Sequence, residues 1–163
     1  MTLNSRGFRD ALGHFATGVA IVSARGPSGL PIGLTINSFA SVSLEPPLVL
    51  WSLDRSSDRF AILMKAEHFA INVLGTSERN LSQRLSRKGE SNLTGEALRD
   101  GVHALPILRN AIATFECSVE QRHDAGDHVI FVGRVLDFGQ TAHSSPLLYY
   151  RGSYRELPSR AEG

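Results

Sequence analysis

The sequence predicts a mainly β fold, an antiparallel barrel with two or three helices packed outside it. Three observations lead there. Six or seven apolar runs have strand length rather than helix length, and several are joined by turn residues as hairpin partners. One segment, Ala111 to Arg122, alternates strictly: Ala113, Phe115, Cys117 and Val119 fall on one face, and Thr114, Glu116, Ser118 and Glu120 on the other. The strands do not alternate regularly with helices, which disfavours a doubly wound α/β sheet.

Taken in order, Gly7 to Thr17 reads as a short helix, because Phe8, Leu12 and Phe15 recur at helical spacing and Gly18 ends it. Val19 to Ala24 is an apolar, partly β-branched strand. The cluster Gly26-Pro27-Ser28-Gly29 turns the chain, and Leu30 to Asn37 returns as the second arm of a hairpin. Val42 to Leu44 stops at Glu45-Pro46-Pro47, since a proline pair interrupts a ladder. Leu48 to Leu53 is a third apolar strand. Ser56 and Ser57 precede Phe60, Leu63 and Met64 and predict a serine-capped helix to about Lys65. Phe69 to Leu74 is a fourth strand. Ser77 then caps a second helix, with Glu78 in its first turn, Leu81 and Leu85 one turn apart and Gly89 as terminator. Glu90 to Arg109 is polar and weakly patterned and reads as a long loop, with a short helix near Glu96 to Leu98. Ala111 to Arg122 and Val129 to Phe138 form a hairpin about the tip Asp124-Ala125-Gly126-Asp127. Leu147 to Tyr150 is a last strand, and the tail from Pro158 reads as frayed.

The 163 residues, 42% hydrophobic, suit one domain spanning 1–163 with an ordered core over about 8–156, large enough to fold without a disulfide or metal. Seventeen Lys and Arg against sixteen Asp and Glu leave a net charge of +1 with no basic stripe, which argues against nucleic acid as a partner. Neither a signal-peptide core nor a run of ~20 apolar residues is visible, so no membrane association is expected. The single cysteine, Cys117, excludes a disulfide framework and fits a reducing cytoplasm; on the apolar face of its strand it reads as core. The six histidines (His14, His68, His103, His123, His128 and His143) form no His-x-His or His-Glu-x-x-His pair, so no metal site is expected. Walker, Rossmann and Gly-x-Ser-x-Gly motifs are absent, and any dinucleotide must bind in another way.

Four segments carry chemistry. Gly33 to Ser43 crowds Thr35, Asn37, Ser38, Ser41 and Ser43 among small neighbours; short donors and acceptors let a planar ligand approach the backbone, although a polar strand end followed by a turn would look the same. Ser56 and Ser57, with Arg55 and Arg59 nearby, suit an anion at a helix start; plain N-capping would also explain them. A flavin nucleotide has both a flat polar ring and a phosphate. His128, after the hairpin tip, can face a ligand or be satisfied by Asp127. Tyr149-Tyr150-Arg151-Gly152-Ser153-Tyr154 can stack on a ring and pair with a pyrophosphate, or close the barrel by aromatic packing.

The chain resembles the short-chain flavin reductases, the small reductase components of two-component flavin monooxygenases such as 4-hydroxyphenylacetate 3-monooxygenase. The resemblance rests on Phe15-Ala16-Thr17-Gly18-Val19, on Gly33 to Ser43 followed by Glu45-Pro46-Pro47-Leu48-Val49-Leu50, on Phe69-Ala70-Ile71-Asn72-Val73-Leu74, on Gly126-Asp127-His128 and on Tyr150-Arg151-Gly152-Ser153-Tyr154. It implies a flavin-binding split β-barrel of antiparallel Greek-key type, a cytoplasmic homodimer with flavin sites near the subunit interface. It also implies hydride transfer from NADH, with NADPH as the alternative, to FMN or FAD, and a separate flavin-dependent monooxygenase served by the reduced flavin. By the same resemblance, Thr35, Ile36, Asn37, Ser38, Ser41, Val42, Ser43 and Ser52 contact the flavin, and Ser56 and Ser57 hold its phosphate. His128, Tyr150, Arg151, Gly152 and Tyr154 lie on the nicotinamide side. No acid, base or nucleophile is required, because the hydride passes directly between the nucleotides. Three other readings stay open: a bound prosthetic flavin reducing another acceptor such as a corrin, a non-catalytic flavin-binding module, and, disfavoured for want of a basic phosphate cluster, an oxidase of pyridoxamine phosphate.

Overall fold

The computed structural model describes residues 3–141 and 145–158; His143 and the tail beyond Pro158 lie outside them. Seven antiparallel strands form the main sheet in the order β3-β2-β6-β9-β10-β5-β4. These are β2 (Ala20–Arg25), β3 (Pro31–Ile36), β4 (Ala40–Leu44), β5 (Pro47–Asp54), β6 (His68–Val73), β9 (Ala113–Ala125) and β10 (His128–Gln140). β1 (Thr17–Gly18) joins β11 (Leu148–Tyr150) and β12 (Ser153–Arg155) in a small second sheet, and β7 (Leu98–Asp100) pairs with β8 (Pro106–Leu108).

One short link decides the shape. β3 and β4 are the two edges of the seven-stranded sheet, yet only Asn37, Ser38 and Phe39 separate them in sequence. Laid flat, such edges would stand roughly 29 Å apart, whereas the step from Ile36 to Ala40 reaches at most about 14 Å. The sheet must therefore curl until its edges nearly meet, leaving a barrel split between β3 and β4. The core agrees: Val22, Ile36, Trp51, Phe69, Cys117 and Phe131, from six different strands, belong to one buried cluster. Trp51 stacks on Phe131 with ring centroids 4.6 Å apart, and Phe69 meets both rings edge-on. Gly133 makes room for this: a Cβ there would lie 2.4 Å from Cζ of Phe69. Cys117 packs in the same core, as its place in the alternation predicts, and burial pushes its thiol up to about 12.

Several expected elements are corrected. The helix read over 7–17 is α1, Ser5–Leu12, capped by the Asn4 side chain, which accepts from the N–H groups of Arg6 and Gly7. Thr17–Gly18 leaves it to pair with Tyr149 and Leu148, and the apolar stripe of Phe8, Leu12 and Phe15 is exposed rather than packed inward. The serine-capped helix shrinks to α2, Phe60–Leu63, with Arg59 at its N-cap and no side-chain cap. Ser77 lies inside a 3-10 turn over Thr76–Glu78 and caps nothing; α3 follows over Arg79–Leu85 and ends before Gly89.

The long loop read over 90–109 carries a hairpin, β7–β8, instead of a helix near 96–98. Its three-residue strands are too short to alternate visibly. This hairpin changes the environment of β9, whose polar face was expected in solvent: Thr114 and Glu116 are buried beneath it. Glu116 accepts from the Val102 N–H at 2.6 Å and from the Arg99 guanidinium at 3.0 Å. Asn72 secures the other side, donating to Ile21 O and Ser23 Oγ while accepting from Leu108 N–H.

Next to this hairpin His68 stacks on His103 at 3.9 Å, with His103 and Ala104 held at φ 52° and 55°. Burial lowers the His68 pKa below its ordinary 6.5; the charge of His103 adds to this and Glu67 opposes it. The folded protein then binds fewer protons at His68 than the unfolded chain does, so stability falls as pH drops below 6.5. His68→Phe, which keeps a ring in the stack, is expected to flatten that acid loss. Thermal melts of both proteins from pH 7.5 to about 5 measure it, and parallel pH profiles would remove His68 as the cause.

Candidate functional site

A cleft of about 530 Å³ opens where the C-terminal end of β3, helix α3 and the β11–β12 hairpin meet. Val19 and Ile36, both buried, supply apolar wall. Tyr149 and Tyr154 face each other across the hairpin with centroids 5.5 Å apart at 71°. Hydrogen bonds fix the frame. Thr35 Oγ1 donates to Ser82 O at 2.7 Å, tying β3 to α3, and Ser82 Oγ shares a 2.7 Å hydrogen bond with the Tyr154 hydroxyl, tying α3 to β12. The hairpin turns on Arg151 and Gly152, with φ 48° and 75°. Two consecutive positive φ values are those of the tight turn that matches strand twist.

The cations of the cleft are Arg79 and Arg87, both exposed. Arg79 lies 5.5 Å over the Tyr154 ring. Neither makes a salt bridge among the described residues, whereas Arg25, Arg55, Arg59, Arg84, Arg99 and Arg134 all do. Gln83 and Ser86 complete a polar edge between them. An apolar wall, two aromatic rings and two uncommitted guanidinium groups fit a flat ring that carries a phosphate.

Of the residues singled out in the sequence, the cleft gathers Thr35, Ile36, Asn37, Tyr149, Gly152, Ser153 and Tyr154. Tyr150 and Arg151 belong to the same hairpin but do not line it. Ser38 is committed elsewhere: its Oγ accepts from Ser52 N–H at 2.9 Å, prolonging the β4–β5 ladder into the link across the split. Ser41, Val42 and Ser43 lie on β4 around a bulge. His128 and Ser52 lie together on the wall formed by β5 and β10, His128 opposite Asp54 and Ser52 opposite Ile130. His128 Nδ1 contacts the Asp127 carboxylate at 2.7 Å, the local partner that sequence alone offered.

Ser56 and Ser57 stand apart from the cleft, and their surroundings differ from those expected. Ser56 N–H donates to Asp54, holding that carboxyl below its usual range, and Ser57 Oγ accepts from Arg59 N–H. The two arginines read as neighbouring cations are spent: Arg55 pairs with Asp124, and Arg59, buried, pairs with Asp58 and donates to the carbonyls of Arg87 and Glu90. Arg59 thereby braces the segment that follows α3. Arg79, Gln83, Ser86 and Arg87 were missed in the sequence, although their spacing of four, three and one residues along α3 and just beyond it marks one polar face.

Residues 12–158 match the profile of the flavin reductase like domain. The chain belongs to that family. It is 48% identical over 155 residues to the FMN reductase (NADH) SmoA of Agrobacterium fabrum, an alignment covering 93% of this chain and 85% of that protein. It is 36% identical over 152 residues to HsaB, the reductase subunit of a flavin-dependent monooxygenase from Rhodococcus jostii, covering 93% of this chain and 77% of that one. The solved structure of the styrene monooxygenase flavin reductase from Pseudomonas putida S12 superposes with a TM-score of 0.84 at 35% identity, over 94% of this chain and 99% of that one. The split β-barrel is thus the architecture of a flavin reductase.

Proposed function

We propose that this protein passes hydride from NADH to FMN or FAD and releases the reduced flavin to a separate monooxygenase. The observation that carries this is the cleft beside the barrel split, where Arg79 and Arg87, which make no salt bridge among the described residues, stand next to Tyr149, Tyr154 and the Thr35-Ile36-Asn37 strand end. The family membership and the named activities of the relatives support it. The nicotinamide and the flavin supply the redox chemistry between them, so the chain needs only to orient the two rings and keep water away. Arg79 and Arg87 neutralise the phosphate. Thr35 and Asn37 present polar groups at the ring end, Thr35 held in place through Ser82. The Tyr149–Tyr154 hairpin shields one side. Ser38, bonded to Ser52, keeps the link across the split in register.

Anaerobic stopped-flow mixing with NADH, with FMN and FAD supplied in turn, tests this reading. Bleaching of free flavin over many turnovers is the expected result; bleaching of a stoichiometric bound flavin alone would make the flavin prosthetic, and none at all would reduce the protein to a binding module. NADPH in place of NADH is expected to be slower, in keeping with the named cofactor of the Agrobacterium relative.

His128 is assigned to the nicotinamide side. His128→Ala is expected to raise the KM for NADH while flavin affinity, read from fluorescence quenching, stays within about twofold, the size of a small surface effect. Unchanged NADH kinetics would remove it from the site. We assign a homodimer and a cytoplasmic location as well. Val42, Leu44, Leu136 and Phe138 are exposed apolar side chains on β4 and the far half of β10, a surface that a second copy would cover. No helix among the described residues is long and apolar enough to cross a membrane. A monomeric mass in sedimentation equilibrium would exclude the dimer.

A further inference from the structure

Ser82 lies in the middle of α3 and is completely buried, although its side chain is polar. Alanine is the better helix former and buries no hydroxyl, so the helix and its packing alone would be served better by alanine. What serine adds is Oγ. A serine inside a helix commonly turns that hydroxyl back to the carbonyl four residues earlier. Here Oγ shares a 2.7 Å hydrogen bond with the Tyr154 hydroxyl on β12, 72 residues further along the chain. The Ser82 carbonyl meanwhile accepts from Thr35 Oγ1 at 2.7 Å. The residue thus meets β3 through its backbone and β12 through its side chain.

Tyr154 is thereby held at its tip. Its ring packs against Tyr149 at 71°, and the Arg79 guanidinium lies 5.5 Å over it. Arg79 stands three residues before Ser82, a spacing that brings the two to neighbouring positions on the helix surface. An exposed arginine with no salt bridge has many rotamers open to it, and ordering it opposes the binding of whatever it contacts. A ring fixed by its hydroxyl offers the cation a standing face, so part of that ordering is done before a ligand arrives.

We propose that Ser82 is a positioning residue for the flavin phosphate: its hydroxyl fixes Tyr154, and Tyr154 stations Arg79. The proposal rests on reading the cleft as the flavin site, with the phosphate on Arg79 and Arg87. It gives Tyr154 a different part from the nicotinamide-side contact that the family resemblance implies. Tyr154 supports the arginine, and Ser82 acts only through Tyr154.

Two variants break the same hydrogen bond from opposite ends. Ser82→Ala removes the hydroxyl but keeps the carbonyl that accepts from Thr35, so β3 and α3 stay joined. Tyr154→Phe keeps the ring and removes its tip. Each is expected to weaken FMN binding about fivefold, the worth of one neutral hydrogen bond, read from flavin fluorescence quenching. Ser82→Thr, which retains a hydroxyl, is expected to restore most of the affinity. Lumiflavin, with no phosphate, is expected to bind all of these proteins alike, which a general loosening of the cleft would not allow. The deciding comparison is made in an Arg79→Ala background, where Ser82→Ala should cost no further FMN affinity. Wild-type FMN affinity in Ser82→Ala overturns the proposal. So does an equal loss for FMN and lumiflavin, or a loss that persists undiminished without Arg79. A raised KM for NADH with FMN affinity unchanged overturns it too, and returns Tyr154 to the nicotinamide side. FMN binding that survives the loss of both Arg79 and Arg87 overturns the cleft reading and the proposal with it, whereas a loss there with none in Ser82→Ala overturns the proposal alone.

Discussion

Replacing Arg79 and Arg87 together by alanine is expected to weaken FMN binding by about a hundredfold while leaving the fold intact. Both are exposed on one polar face at α3, and their removal opens no cavity. Each provides one charge-assisted contact to a phosphate, worth about 1.5 kcal/mol, and the pair therefore about 3 kcal/mol, or roughly two decades in Kd. The loss should shrink at high salt, because the removed attraction is partly screened there in the wild type. Flavin fluorescence titration at low and high ionic strength measures it, with far-UV circular dichroism as the control for folding. Lumiflavin, which has no phosphate, should bind both proteins alike. An FMN affinity unchanged in the double variant would move the phosphate away from α3 and back toward Ser56 and Ser57, and would remove the main support for the cleft as the flavin site.

The second large effect is on stability. Glu116→Ala is expected to cost about 3 kcal/mol, because it removes a buried carboxylate that accepts from the half-buried Val102 N–H and the Arg99 guanidinium, and leaves a hole under the β7–β8 hairpin. For a chain of this size that corresponds to a drop of roughly 10 °C in Tm. Glu116→Gln, which keeps an acceptor oxygen for Val102, should lose much less. Gly101→Ala acts from the opposite side: its Cβ would fall 2.2 Å from Glu116 Oε2, so the carboxylate or the hairpin must shift. Urea unfolding of the three variants gives the order, and limited proteolysis within 98–108 should open in Glu116→Ala and Gly101→Ala before the barrel melts. A Glu116→Ala protein as stable as wild type would show that the hairpin is held by its other ties: Leu108 N–H to Asn72, Ser23 Oγ to Pro106 O, and Arg25 to Asp100 and Ala104 O.

Much of the fold was legible because the barrel strands announce themselves locally. The β9–β10 hairpin, the β2–β3 hairpin and the proline-bounded β5 all follow from apolar runs, alternation and turn residues, and each was placed within a few residues of its observed limits. The misreadings share a cause. Ser56, Ser57 and Ser77 look like helix caps because their spacing to apolar residues is right, but Ser56 N–H donates to Asp54, Ser57 Oγ accepts from Arg59 N–H ahead of α2, and Ser77 Oγ donates to Glu78. Thr114 and Glu116 look solvent-facing because nothing in β9 itself reveals that a three-residue strand pair from another segment will cover them.

The candidate site divides along the same line. Thr35, Ile36, Asn37, Gly152 and Tyr154 stood out by residue type, and the structure gathers them. Arg79 and Arg87 did not stand out, since an arginine is marked as available only when its neighbours are known to leave it unpaired. By itself the sequence determined the mainly β class, the hairpins and the family, since these depend on periodicity and short motifs read along the chain. Only the tertiary structure decided which cations are free, where the barrel splits and which polar residues are buried. Those properties depend on segments distant in sequence meeting in space: a three-residue link drawing two sheet edges together, Arg59 bracing the end of α3, and a small hairpin closing over Glu116.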